Sequence, residues 1–257
     1  MTNAIDTFDL TGQTALVTGS CRGLGLGLAR ALLDAGARVV LNGRHDESLK
    51  KTYAMLRGQG LCVEHACFDV TNRSEVATAI ADLHSRIGAI DILVNNAGIQ
   101  HRAVLEDFDP NHWDALMRTN LDGVFNVTQC VVRTMIERRK GKIINICSVQ
   151  STLARPTIAP YAATKGAVCM LTRGMCADWA RYGIQINGLA PGYFRTELNQ
   201  DLVTDPEFSE WLCRRTPAGR WGEVEELSGA LLLLASKASD FINGQVLYVD
   251  GGLTSVV

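Results

Sequence analysis

The chain has 257 residues, of which 25 are Lys or Arg and 27 Asp or Glu, giving a formal net charge of -2, and 47% are hydrophobic. That near-neutral balance excludes the basic footprint of a nucleic-acid-binding protein. The longest apolar run, Ala230 to Ala235, falls far short of the roughly 20 residues that cross a bilayer.

Residues 1–11 offer neither a basic n-region nor an apolar h-region, so the sequence predicts a cytoplasmic protein with no membrane partner. In chain order, the first predicted strand is Thr14–Thr18 and the first helix Leu24–Ala35. The strand–helix pairs Arg38–Asn42 with Asp46–Arg57, and Leu61–Ala66 with Arg73–Ile87, come next. Strand Ile90–Val94 precedes one long helix, Trp113–Glu137, and strand Lys142–Cys147 precedes helix Pro160–Tyr182. Ile184–Leu189 is the sixth strand, Val224–Leu234 the last main helix and Gln245–Val249 the seventh strand. Val-, Ile- and Leu-rich runs alternating with helical stretches predict a single Rossmann-type, doubly wound α/β domain over residues 1–257. Its seven-stranded parallel sheet would carry helices on both faces. The segment 195–222 breaks the rhythm with Pro206, Trp211, Pro217 and Trp221. Inserted beyond the carboxyl end of the sixth strand, it is expected to be a substrate lid.

The first strand runs directly into Thr18-Gly19-Ser20-Cys21-Arg22-Gly23-Leu24-Gly25. Glycines at 19, 23 and 25 permit a tight turn and a close approach to a pyrophosphate. The positive end of the following helix would point at those phosphates. Eight cysteines lie at 21, 62, 67, 130, 147, 169, 176 and 213 with no metal-binding spacing, which predicts free thiols and no metal site. Cys21 is the one expected to be reactive, because a helix N-terminus lowers a thiol pKa.

The TGxxxGxG spacing of this loop resembles the short-chain dehydrogenase/reductase family. So do Asn95-Asn96-Ala97-Gly98 after the fourth strand, Asn120 in the long helix and Ser148 after the fifth strand. Tyr161-Ala162-Ala163-Thr164-Lys165 on the next helix, and Pro191-Gly192 with Thr196 after the sixth strand, complete the pattern. The resemblance implies a nicotinamide cofactor held by Gly19, Ser20, Arg22, Gly23, Leu24, Gly25, Asn96, Ala97, Gly98, Pro191, Gly192 and Thr196. Asp69 and Val70 resemble the family's adenine-contacting pair, and Tyr161 and Lys165 are expected on the ribose. The second strand ends Leu41-Asn42-Gly43-Arg44, without the acid that would bond a ribose 2'-hydroxyl. Arg44 and Arg22 offer guanidinium groups to a 2'-phosphate instead, so NADP(H) is the expected cofactor.

Tyr161 and Lys165, four apart, share one helix face. An ammonium beside a tyrosine stabilises its phenolate, which suits the pair to acid–base work at neutral pH. Ser148 would donate a hydrogen bond to the reacting oxygen. By resemblance, Asn120 holds a water that extends a proton relay through Lys165, completing the catalytic set Asn120, Ser148, Tyr161 and Lys165. Stretches such as NNAGIQHR at 95–102, NICSVQSTLARPTIAPYAATKGAV at 145–168 and RTPAGRWGEVEEL at 215–227 are similar, within that family, to the gluconate 5-dehydrogenases. That similarity implies reversible interconversion of D-gluconate and 5-keto-D-gluconate. Arg102, Gln150, Arg155 and Tyr193, with Ser148, are the candidates for contact with such a sugar acid, since arginine captures a carboxylate bidentately. A 3-ketoacyl-carrier-protein reductase, or another sugar or polyol dehydrogenase of the same family, shares the core motifs. A non-catalytic NADP-binding sensor is the remote alternative. The resemblance also implies a homotetramer.

Overall fold

Successive side chains of a strand face opposite sides of a sheet, and here both sides are apolar. Ala15 and Val17 enter one buried cluster and Leu16 the other. A strand buried on both faces needs helices on both, and the computed structural model, which describes residues 4–257, has them.

The strands are β1 (Thr14–Val17), β2 (Arg38–Gly43), β3 (Val63–Cys67), β4 (Ile92–Asn95), β5 (Gly141–Ile146), β6 (Ile184–Pro191) and β7 (Val246–Val249). They form one seven-stranded sheet in the order β3-β2-β1-β4-β5-β6-β7, parallel throughout. The helices are α1 (Gly23–Asp34), α2 (Asp46–Gly58), α3 (Arg73–Ile87), α4 (Pro110–Met117), α5 (Gly123–Arg138), α6 (Ala159–Trp179), α7 (Gln200–Val203), α8 (Pro206–Arg215) and α9 (Ser228–Ala235). Leu28 and Leu32 of α1, Leu49 of α2 and Leu231 of α9 belong to the first cluster. Val76 of α3, Val127 of α5 and Val168 of α6 belong to the second. This is the single Rossmann-type domain that the alternating pattern predicts. Strand order reverses between β1 and β4, and in doubly wound folds the crevice at that reversal receives the ligand.

One expected helix is corrected. The stretch read as a single helix over 113–137 is α4 and α5 joined by a π-helical turn, Arg118–Asp122. The wider turn accommodates an extra residue, and Asn120 sits within it. Its side chain is held from outside the helix, Oδ1 accepting from the Ile99 amide at 2.8 Å and Nδ2 donating to the Ile99 carbonyl at 3.0 Å. Hydrophobic periodicity carries no sign of such an anchor.

The segment 195–222 is a helical excursion closed at its neck. A bridge joins Phe194 and Gly222, with Arg195 donating to the Gly222 carbonyl and Gly222 to that of Tyr193, each at 2.9 Å. Within it, α7 and α8 fold over the carboxyl end of β6. Tyr193, Phe208, Trp211 and Trp221 make an aromatic cluster, with Tyr193 edge-on to Trp221 at 5.9 Å. The Trp221 indole donates to Ser209 Oγ at 3.1 Å.

Candidate active site

The glycine loop lies between the end of β1 and the start of α1, pressed against the residues that follow β4. Gly19 has φ +63°, and a Cβ there would stand 2.9 Å from Ala97 Cα. A Cβ on Gly25 would run into the Gly19 carbonyl and Asn96 Nδ2. Both positions therefore exclude a side chain. Asn96 ties the two loops together, donating from Nδ2 to the carbonyls of Thr18 at 2.9 Å and Gly19 at 3.1 Å. Thr18 Oγ1 accepts from the amides of Asn96 and Ala97.

Sequence reading missed the residue that fixes the other side of this loop. Asn42, buried at the end of β2, accepts from the Gly19 amide at 3.2 Å through Oδ1 and donates through Nδ2 to the Ala66 and Phe68 carbonyls. It stands near the strand end where an acid would face a ribose, and its polarity is spent inward. Arg44 follows on the surface, donating to His45 Nε2 at 3.2 Å. Arg22, also exposed, pairs with Glu197 of the excursion at 3.3 Å. An ion pair so open to solvent contributes little and leaves Arg22 able to exchange partners. Asp69 Oδ1 accepts from the Thr71 amide, the Val70 carbonyl accepts from Asn126, and both residues follow β3 next to this loop system. Gly98 lies beside Asn120 Oδ1. On the far side of the crevice, Pro191 ends β6, the Gly192 amide donates to the Val249 carbonyl, and Thr196 leads into the 3-10 turn Glu197–Asn199. Ser20 is buried and donates to the Val17 carbonyl at 2.8 Å; Gly23 and Leu24 open α1.

Cys21 is a correction. The thiol beside the helix N-terminus is half-buried, and that burial pushes its pKa up, with Arg22 a lesser opposing influence. The contact with Gly43, where a Cβ would meet Cys21 Sγ at 2.5 Å, shows a packed sulfur rather than an activated one.

Ser148 follows β5 and caps the 3-10 turn Val149–Ser151, its Oγ accepting from the Gln150 amide at 3.1 Å. Tyr161 and Lys165 lie on the first turns of α6. Lys165 is buried, and its Nζ donates to the Ile146 carbonyl at 2.7 Å while standing 5.8 Å from the centre of the Tyr161 ring. The end of β5 thus anchors the ammonium that faces the tyrosine. Thr164 links this helix to the π-helical turn, its Oγ1 accepting from Asn120 Nδ2 at 3.2 Å and donating to the Tyr161 carbonyl at 2.8 Å. Both amide hydrogens of Asn120 are committed, to Ile99 and to Thr164.

Ser148 and Tyr161 open onto a cavity of about 80 Å³ that Arg102, Gln150, Arg155 and Tyr193 also line. Gln100, Val149, Ile158, Gly192, Leu198, Asn199 and Leu202 complete its wall. Sequence reading did not single out Gln100, Val149 or Ile158 for this wall, whereas Leu198, Asn199 and Leu202 belong to the segment it expects to be a lid. The hub is Tyr193 Oη, which accepts from Gln150 Nε2 and Arg155 Nε, both at 3.1 Å. The Arg155 guanidinium lies 5.4 Å from the centre of the Phe208 ring, so the aromatic cluster of the excursion supports it. Neither Arg102 nor Arg155 has an ion-pair partner among the described residues. Burial, and after it the neighbouring charge of Arg155, pulls the Arg102 guanidinium below its ordinary pKa. Arg102 Nε, Gln100 Oε1 and Gln150 Oε1 are buried without a hydrogen-bond partner. Two arginines without an ion pair, one of them within the attractive field of Asp201, and three unpaired polar atoms thus lie around the cavity onto which Ser148 and Tyr161 open. Among the described residues no cluster of three or more metal-ligating side chains occurs, and no helix is long and apolar enough to cross a membrane.

Residues 13–207 match the family described as short chain dehydrogenase. The gluconate 5-dehydrogenase of Gluconobacter oxydans (strain 621H) is 59% identical over 249 residues, covering 97% of each chain. The 5-keto-D-gluconate 5-reductase of Escherichia coli (strain K12) is 49% identical over 252 residues, covering 98% of this chain and 99% of the relative. Among solved structures, a gluconate 5-dehydrogenase from Burkholderia cenocepacia J2315 in complex with NADP and tartrate superposes with a TM-score of 0.97. It shares 65% of its sequence with this chain, and the match covers 99% of this chain and 100% of that one.

Proposed function

The chain belongs to the short-chain dehydrogenase family, and from that premise we propose an NADP-dependent oxidoreductase that interconverts D-gluconate and 5-keto-D-gluconate. The observation that carries the substrate class is the pair Arg102 and Arg155, neither held in an ion pair and Arg102 under the influence of an acid, Asp201, in the cavity onto which Ser148 and Tyr161 open. A carboxylate moved out of water needs a cationic partner to replace its hydration, and two cations crowded together are relieved by an anion. The arginines and amides in the cavity lining argue against an acyl chain. The two relatives that act on gluconate or its 5-keto form support the same reading.

The residues fit the cofactor. The crowded Gly19 and Gly25 leave room for a pyrophosphate against backbone, and Arg44 follows a strand that ends without an acid. The bound nicotinamide supplies the hydride acceptor in oxidation and the donor in reduction. Tyr161 takes the proton of the C5 hydroxyl in one direction and returns it in the other. Ser148 donates a hydrogen bond to the reacting oxygen. Lys165, fixed by the Ile146 carbonyl, holds its ammonium beside the Tyr161 ring. Asn120, its amide hydrogens committed elsewhere, serves a water relay through its backbone.

The excursion over 195–222 acts as a lid that carries one wall of the cavity through Leu198, Asn199 and Leu202. We assign the enzyme to the cytoplasm, in keeping with its free cysteines, and to a homotetramer. Exposed Trp113, Phe125 and Met170 on α4, α5 and α6 would supply one interface, and Phe241 and Val257 another. Steady-state kinetics of Arg102→Ala and Arg155→Ala test the substrate reading. A charge-assisted hydrogen bond contributes about 1.5–3 kcal/mol, so removing the true carboxylate partner should raise KM for gluconate by roughly ten- to a hundredfold. KM for a neutral polyol should barely move. Equal losses on both substrates would contradict the assignment.

A further inference from the structure

We propose that Gln100 and Gln150 make this enzyme selective for a substrate with hydroxyl groups on the carbons between the reacting C5 and the carboxylate. The proposal rests on the aldonate reading above and assigns the part of the substrate that the arginines do not reach. Both side chains line the cavity, and each has a buried amide oxygen that accepts nothing among the described residues. A buried acceptor left unpaired costs about 1–3 kcal/mol, so each of these oxygens is matched to a donor that the folded chain does not provide.

The chemistry of the substrate decides which donor. A carboxylate and a ketone have no hydrogen to give, so neither can satisfy an amide oxygen. Hydroxyls can, and three of the four that 5-keto-D-gluconate carries, those on C2, C3 and C4, lie between the ketone and the carboxylate. The arginines and amides thus divide the ligand, donors facing the carboxylate and acceptors facing the alcohols.

Tyr193 fixes this arrangement. Its Oη accepts from Gln150 Nε2 and from Arg155 Nε, which uses both lone pairs of a phenol oxygen. The Gln150 amide is thereby held with Oε1 turned away from Tyr193, and the Tyr193 hydrogen is left to donate to the ligand. Phe208 and Trp221 pack against the ring, so the hub is set before substrate arrives and the cost of ordering it has been met in folding. A site of this kind rejects an analogue that lacks the hydroxyl, because the protein acceptor is then desolvated without compensation.

The test is a set of selectivity ratios. Wild type, Gln100→Met and Gln150→Met are assayed with NADP on D-gluconate and on its 2-deoxy, 3-deoxy and 4-deoxy analogues, with NADPH binding measured on each variant as a check on folding. Wild type should lose about tenfold or more in kcat/KM on at least one analogue. In at least one methionine variant that ratio should shrink to about threefold or less, as gluconate turnover falls toward that of the analogue. General damage to the fold lowers all four substrates together and leaves the ratios where they were. Equal use of gluconate and every deoxy analogue by wild type, or ratios unchanged in both variants, overturns the proposal. A wild type that turns over none of the four overturns the aldonate reading itself, a distinct result because nothing reacts rather than everything alike.

Discussion

The cofactor side and the substrate side of this molecule treat polar groups in opposite ways. Around the glycine loop, Asn42, Asn96, Thr18 and Ser20 are paired with backbone on neighbouring strands, and the glycines are packed against main chain. Across the crevice, Arg102, Gln100 and Gln150 hold buried polar atoms that bond to nothing in the chain. The first region is finished by folding and the second by its ligand. A shape shared by every reaction of the family can be built once into backbone, whereas a particular substrate has to be recognised by side chains that leave their bonds open.

The sharpest way to break this contrast is at the chemistry that joins the two sides. Tyr161→Phe keeps the ring and removes the hydroxyl proposed to carry the proton. General acid–base groups contribute roughly 10²- to 10⁴-fold in rate, so turnover should collapse by that factor while NADPH still binds, as fluorescence titration would record. A variant retaining more than about a tenth of wild-type turnover would remove Tyr161 from the role.

Gly25→Ala tests whether the cofactor side is finished by backbone. Its Cβ would press on the Gly19 carbonyl and Asn96, and overpacking of this kind costs typically about 1–3 kcal/mol. NADP and NAD should both bind roughly ten- to a hundredfold more weakly, because the defect lies where the two cofactors are identical. Arg44→Ala sharpens the same comparison from the surface. NADP should weaken by roughly tenfold or somewhat more, about the worth of one charge-assisted hydrogen bond, and NAD should be nearly unaffected. Parallel titrations of the two cofactors separate the cases, and an equal loss in Arg44→Ala would make that residue structural.

The same contrast explains what could be read from the sequence. Alternating apolar runs and helical stretches carry the fold because βαβ units are local, and each strand was placed to within a few residues. The places of the glycine loop and of Ser148, Tyr161 and Lys165 are legible for the same reason, each lying in one short stretch at a strand end or on one helix face. Three things were not. The π-helical turn at Asn120 is fixed by Ile99 and Thr164, contacts that no periodicity reports. Asn42 looked like a missing acid, and its inward bonds to Gly19, Ala66 and Phe68 appear only when β1, β2 and β3 lie side by side. Gln100 and Asn199 are 99 positions apart by their numbering and meet only in the cavity wall, where the excursion folds back over β6. Cys21 shows the reverse error, since its place before a helix suggested activation and its packing against Gly43 decides otherwise.

The most direct test of the central claim is the rate of NADPH oxidation by the unaltered enzyme on three carbonyl compounds in parallel. These are 5-keto-D-gluconate, a neutral ketose of the same length and a 3-ketoacyl thioester. The arginine pair and the polar cavity predict that kcat/KM is highest for 5-keto-D-gluconate, by roughly tenfold or more over the neutral ketose, the worth of one charge-assisted hydrogen bond. A higher kcat/KM on the neutral ketose or on the thioester would contradict the account of the substrate site and leave only the reductase chemistry proposed for Ser148, Tyr161 and Lys165.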